Sequence, residues 1–371
     1  MPPRGAGDDR LVGIELLRFA AAFGVLIWHY QNFLIGALDH PEFIRSSQPF
    51  WAVLAPLYSY GNAGVQLFWC ISGFIFTWKY LAPINAGSVS LGRFLWLRFS
   101  RLYPLHLVTL LLVAALNAAY FAGHGSYFLY QVNDVRHFLL NLGFASYWGF
   151  QSDYSFNGPI WSVSVEILVY VLFFGLCRLW RGTLWTDIGV VIAASIAYAM
   201  LRRFGGIKLE VFGATTFFYI GAATCRIYAM LGAHRQGRVA FVLAGVVALS
   251  CLLVALGALK IAGASLALFP AAILLAQVAV RPRSERALAA IAAVGNLTYA
   301  SYLLHFPLQL ALVLVLERAG IATADWFHGP WLLLVYLALV LGLSALVFHG
   351  FERPAQNWLR RLGQAQRDAA V

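Results

Sequence analysis

The chain has 371 residues, of which 61% are hydrophobic and only 11% charged, and its mean hydropathy is +0.75. A water-soluble domain carries roughly 25% charged residues, so the composition argues against a soluble enzyme, a soluble nucleic-acid-binding module and a disordered tail, and it defines an integral membrane protein. The formal charge of +11 and pI of 9.7 would suggest a nucleic-acid partner in a soluble chain; here the placement of the positives relative to the apolar runs carries the meaning.

A bilayer-spanning helix takes about 20 apolar residues, and ten runs qualify in chain order: 11–35, 61–81, 102–122, 158–177, 184–201, 211–229, 239–258, 261–280, 288–316 and 330–350. The first carries Glu15, Arg18 and His29 and ends without a small-residue cleavage site, so it reads as a retained span after a polar tail over 1–10. The aromatic patch Phe50 to Tyr60 and the stretch 138–150 are too short to span and read as interfacial segments. The fold class is therefore all-α, a polytopic bundle of about ten transmembrane helices over 11–352 with a second tail over 353–371. Ten spans put both termini on one side. Loops on that side hold 18 of the 26 Lys and Arg residues against seven opposite, with Arg18 inside the first span, which places both termini in the cytoplasm and accounts for the net charge as topology. The longest non-spanning stretches, 36–60 and 123–157, then face outward. Cys70, Cys177, Cys225 and Cys251 all lie in apolar runs, as packing thiols do, and their spacing suits no metal site.

Ionisable groups inside a membrane are costly and mark function by default. Arg18 and His29 are eleven residues apart, only about 20° from a whole number of helical turns, so they share a face roughly 16 Å apart along the axis. Glu15 is placed to pair with Arg18. A structural alternative has His29 hydrogen-bonded to a neighbouring helix and Arg18 snorkelling to the inner interface. In N-G-P-I-W-S-V-S-V-E-I-L-V-Y, Ser162, Glu166 and Tyr170 fall on one helical stripe, and the buried carboxylate either meets a partner such as Arg18, Arg101 or His29 or is protonated; a tether between helices is the plainer reading. R-F-L-W-L-R-F-S-R-L-Y-P, leading into the third span, sets Arg98 and Arg101 three apart, a two-pronged cation suited to phosphate, though positive-inside anchoring also explains arginines there. In T-Y-A-S-Y-L-L-H-F-P, Thr298, Ser301 and His305 share a polar stripe and Pro307 would kink the helix; a histidine satisfied by neighbouring backbone is the commoner explanation. His106, His349, Asn117 and Gln66 read as polar glue between helices.

Taken together, these segments resemble the acyltransferase 3 family, membrane O-acyltransferases that modify bacterial surface and secreted glycans. The resemblance runs from about residue 10 to 355 and rests on motifs in the family's order: the Arg18 to His29 segment, G-V-Q-L-F-W-C-I-S-G-F-I-F (64–76), R-F-S-R-L-Y-P (98–104), W-S-V-S-V-E-I-L-V-Y (161–170) and S-Y-L-L-H (301–305). Glu15 stands where Asp is more usual and Phe19 where many members have Gly.

The resemblance implies a cytoplasmic acyl-CoA donor, acetyl-CoA first, and a hydroxyl of a carbohydrate or lipid-linked glycan as acceptor, with no metal and no nucleic acid, in the cell (inner or plasma) membrane. It implies His29, Arg18, Glu15 and Glu166 as catalytic residues, Arg98, Arg101 and Arg93 as holders of the CoA phosphates, and Trp161, Ser162, Tyr170, Ser301 and His305 as substrate-binding or supporting residues. His29 would take a proton from the acceptor hydroxyl or carry the acyl group itself. With the last residue at Val371, the expectation is direct acylation of the acceptor or hand-over to a separate extracytoplasmic transferase. The competing class is a transporter of an anionic or sugar-linked substrate, which commonly shows internal repeats; none is visible here.

Overall fold

The computed structural model describes residues 11–36, 43–151, 153–205, 209–231, 236–281, 284–321 and 326–368; the tail expected over 1–10 lies outside them. Among the described residues there is no strand, and nine helical stretches are long and apolar enough to cross a membrane. The protein is all-α and multi-pass. Outward-facing Phe241, Val242, Leu249 and Leu252 on one such stretch are heavily exposed, as residues facing lipid are rather than residues facing water.

The helices are α1 (Val12–His29), α2 (Asn32–Gly36), α3 (Trp51–Tyr60), α4 (Gly64–Asn85), α5 (Leu91–His124), α6 (Val135–Leu142), α7 (Trp161–Trp180), α8 (Leu184–Met200), α9 (Glu210–Met230), α10 (Gln236–Ala255), α11 (Ile261–Ala279), α12 (Glu285–Asn296), α13 (Thr298–Arg318), α14 (Pro330–Val347) and α15 (Arg353–Asp368). Several bounds differ from the sequence expectation for visible reasons. The run at 102–122 is the later part of a 34-residue helix that starts at Leu91, because the Ser90 side chain accepts the Arg93 N–H and caps it. Arg93, Arg98 and Arg101 therefore stand on helix rather than in a loop. The run at 288–316 is two helices, broken at Leu297 after the Gly-Asn pair that ends α12. The residues of the 211–229 run fold as α9, but its threonines and charged ends leave it outside the nine most apolar stretches. Thr215, Thr216 and Thr224 bond the carbonyl four residues back, which lets hydroxyls sit in an apolar helix. Of the residues read as the second tail, Arg353–Asp368 form α15. α13 runs unbroken past Pro307. The 138–150 segment holds most of α6, which begins earlier than expected because Asp134 caps it through the His137 N–H (2.8 Å) and also meets the His137 ring; these contacts hold the Asp134 carboxyl below its usual range.

The chain divides into two compact units. The first comprises Met1–Ala21, Ala63–Val89 and Leu168–Asn296. Its centre is the approach of α4 to α9, where Gly73 lies against the Phe218 carbonyl and Gly221 against the Cys70 carbonyl, with no room for a Cβ on either. Small residues permit such backbone contact, which supplies helix association inside lipid. Around it Phe74, Phe269, Ile273, Cys70 and Cys225 are buried, and Arg226 on α9 pairs with Asp187 on α8 at 2.5 Å.

The second unit comprises Ala22–Asn62, Ser90–Ile167 and Leu297–Val371. Its core is aromatic, with Tyr30, Phe33, Tyr58, Tyr120, Phe306, Phe327 and Tyr336 fully or almost fully buried. α13 packs against α5 and α14, and α15 lies along the start of α5, where Trp96 Nε1 donates to the Leu359 carbonyl (3.1 Å) and Gly363 abuts the Trp96 ring.

Replacing Gly73 or Gly221 with Val should lower stability by at least about 2 kcal/mol, since overpacking here meets backbone rather than a movable side chain. Gly245→Val, with nothing within 4 Å of its position, should leave the melting temperature in detergent unchanged.

Candidate active site

In the second unit α1 ends at His29, and the ring stays close to its own helix: Nδ1 lies 2.9 Å from the Val25 carbonyl. A carbonyl only accepts, so Nδ1 carries the proton and Nε2 of the neutral ring is left as a lone pair, the form a general base needs. His29 is partly exposed. His305 of α13 repeats the arrangement, with Nδ1 2.7 Å from the Tyr302 carbonyl, and its ring is fully buried. No hydrogen-bond partner meets His305 Nε2 among the described residues. The two imidazoles stand 4.6 Å apart between centroids, tilted by 48°, and Trp28 meets His29 edge-on at 4.6 Å.

One turn before His305, Tyr302 reaches the entry to α7. Its hydroxyl donates to the Pro159 carbonyl (2.8 Å) and lies 2.7 Å from Ser162 Oγ. Ser162 Oγ also lies 3.3 Å from the Pro159 carbonyl, so the two hydroxyls share that acceptor and either can donate to the other. Asn157 Nδ2 donates to the Leu303 carbonyl (3.0 Å), fastening the Gly158–Ile160 turn to α13. Glu166, buried one turn beyond Ser162, is within electrostatic reach of Tyr302. Ser301 spends its hydroxyl on the Thr298 carbonyl of its own helix (3.2 Å).

Trp161, partly exposed, lies in an aromatic group with Tyr147 (5.6 Å) and Tyr154 (6.1 Å), themselves stacked at 4.9 Å. The segment that presents them holds Phe144, Tyr147 and Phe156 at positive φ of 55°, 63° and 48°. Bulky residues in that region store strain, which collects at ligand-binding sites. It is held in place by Ser164, whose hydroxyl donates to the Phe144 carbonyl, and by Trp148 Nε1 donating to the Ser164 carbonyl (2.9 Å). Neighbouring Tyr130 is partly buried, and desolvation pushes its phenol up from its ordinary value.

On α5, Arg93 is exposed and Arg98 and Arg101 are half-buried. Arg101 and the buried Glu352 each lie within electrostatic reach of Tyr299, whose hydroxyl donates to the Leu102 carbonyl (2.6 Å). α15, docked on the same stretch, adds Arg353, Arg360 and Arg361.

The remaining sequence-predicted residues belong to the first unit. Arg18 Nη1 pairs with Glu15 Oε2 at 2.9 Å, as the spacing anticipated, and Gly295 abuts that carboxylate. Glu15 borders a cavity of about 560 Å³ with Trp78, Lys79, Leu288, Ile291 and Asn296. Tyr170 stacks on Phe76 (4.4 Å, 20°) beside Phe173 and Phe218 in the unit's aromatic core. Among the described residues no three His, Cys, Asp or Glu side chains cluster as a metal ion would require.

Sequence reasoning named His29, His305, Ser162 and Glu166 but missed Tyr302, Gln309, Asn32 and Asn157. A helical stripe drawn through His305 contains Tyr302 at i−3 and Gln309 at i+4; that signal was present and unused.

A multi-pass helical protein with a paired-imidazole site is thus defined. The acyltransferase domain family matches residues 11–349. The chain belongs to this acyltransferase 3 family, and that membership favours a membrane acyltransferase over the transporter alternative. A protein of Rhizobium radiobacter, "Protein 2 in picA locus", is 43% identical over 51 residues, 14% of this chain and 27% of that protein. No solved structure matches.

Tyr302→Phe removes the group that serves both Ser162 and Pro159, and should lower the stability measured by thermal melting by about 1 to 3 kcal/mol. Ser162→Ala, which leaves the Tyr302 to Pro159 bond in place, should cost less.

Proposed function

We propose that the protein is an O-acyltransferase of the cell (inner or plasma) membrane. It moves an acyl group, acetyl in the simplest case, from cytoplasmic acyl-CoA to a hydroxyl of a cell-surface or secreted carbohydrate. The observation that carries the chemistry is His29, with Nδ1–H committed to Val25 and Nε2 left as a base. The acceptor oxygen attacks the thioester carbonyl while His29 Nε2 takes the hydroxyl proton. The tetrahedral adduct then expels the CoA sulfur, which receives that proton from the imidazolium and leaves as the thiol. His305 stands beside the imidazolium, and Glu166 lies within electrostatic reach of Tyr302, one turn before His305.

Arg98 and Arg101, with Arg93 and the start of α5, are the groups for the donor's phosphates, a use that suits guanidinium geometry. The Glu15 to Arg18 pair holds a second fixed cation on α1. At the acceptor end the partly exposed rings of Trp161 and Tyr154 offer flat apolar faces for the C–H face of a pyranose, with the Ser162 and Tyr302 hydroxyls near for polar contacts.

The purified protein incubated with labelled acetyl-CoA should release CoA and transfer label to an added glycan acceptor. His29→Ala should lower turnover by at least about 10²-fold, and Arg98→Gln with Arg101→Gln should raise the KM for acetyl-CoA. A His29→Ala protein that works at the normal rate, or binding of acetyl-CoA without turnover, would overturn this reading.

A further inference from the structure

One fully buried amide touches the proposed base and has no role in the chemistry above. Gln309 is completely buried and Asn32 almost so. Gln309 Nε2 donates to the His29 carbonyl at 2.8 Å, and Asn32 Nδ2 donates to Gln309 Oε1 at 3.1 Å. The amide cannot be turned round, because the His29 carbonyl only accepts.

His29 is the last residue of α1, where carbonyls lose their intrahelical partners. Those of Tyr30 and Gln31 are met by the N–H groups of Phe33, Leu34 and Ile35. That of His29 is met by Gln309. Gln309 also stands four residues beyond His305 on α13, hence on the same helical stripe. A single face of α13 therefore sets a ring against the His29 ring and grips the His29 backbone.

We propose that Gln309, braced by Asn32, is a positioning residue that fixes where the His29 imidazole stands relative to His305. The proposal rests on His29 being the base. A displacement of about 1 Å in a reacting group costs on the order of 10²-fold in rate, so loss of the grip should appear in kcat and not in donor affinity.

Two variants separate positioning from mere packing, each compared with the full-length wild type in acetyl-CoA turnover across pH. Gln309→Leu keeps the bulk and removes both hydrogen bonds; kcat should fall by at least about tenfold with the KM for acetyl-CoA unchanged. Gln309→Glu, when protonated, still donates to His29 and accepts from Asn32; ionised, it loses the donor. Its activity relative to wild type should therefore be near normal at the acid end and fall by about tenfold or more as pH rises, whereas the Gln309→Leu ratio stays flat. If Gln309→Leu fails to fold, the Gln309→Glu ratio decides alone. A Gln309→Leu enzyme with wild-type kcat, or a Gln309→Glu ratio that does not change with pH, overturns the proposal. Should His29→Ala be inactive in the same assay, the assignment of His29 survives that failure; should it be fully active, the assignment itself falls.

Discussion

A helix that stops inside an apolar surrounding leaves carbonyl oxygens that no water can reach, and each costs several kcal/mol if left bare. α1 ends at His29, among the buried Leu26, Ile27, Tyr30 and Phe33. The second unit is arranged around meeting that need. Backbone N–H groups of α2 take the carbonyls of Tyr30 and Gln31, and the side chain of Gln309 takes that of His29. Because the last donor comes from α13, the end of α1 is fixed to α13. The same helix then fixes the start of α7, through Tyr302 to Pro159 and Ser162 and through the Leu303 carbonyl to Asn157. The polar stripe that places the histidines together is thus also what joins three helices, and a change made for chemistry there is a change in packing too.

The first unit meets the same pressure by other means. Its polar side chains mostly satisfy themselves locally, as the α9 threonines do with their own helix carbonyls. Its helices approach through glycine, backbone against backbone, at Gly73 and Gly221. Dispersion attraction between the closely approaching backbones replaces the hydrophobic effect, which is absent between helices in lipid. The buried Asp187 to Arg226 pair is weak evidence for stability, since desolvation offsets much of its attraction, but removing either partner alone would strand a charge.

Much of this was legible in the sequence, and the part that was not has a physical pattern. Apolar runs located the helices because length and hydropathy are properties of single segments. The Glu15 to Arg18 pair was legible because i, i+3 spacing settles it within one helix. Helix starts were less so: Ser90 and Asp134 cap α5 and α6, and in a chain searched for apolar runs a polar cap is easily taken for loop. Tyr302 and Gln309 were passed over because a tyrosine or a glutamine in an apolar span looks like glue until its partners on other helices are known. The docking of α15 through Trp96, Leu359 and Gly363 is long-range, and nothing local to 353–368 announces it.

The commitment of both Nδ1–H groups to backbone carbonyls constrains the cycle further. Neither ring can turn to present its other nitrogen without breaking a bond to its own helix, so each exchanges protons only at Nε2. Two imidazolium rings at a centroid separation of 4.6 Å would repel by roughly 4 kcal/mol at the effective dielectric of such sites. The pair therefore holds one extra proton at a time. In the reaction proposed above, with His29 as the base, the proton taken from the acceptor hydroxyl would have to leave before another could be taken, and the departing thiolate would be the group formed in the same step to accept it. Proton uptake and donor cleavage would then be coupled at one nitrogen in that proposed reaction, and the Gln309 bond to the His29 carbonyl would hold that nitrogen still.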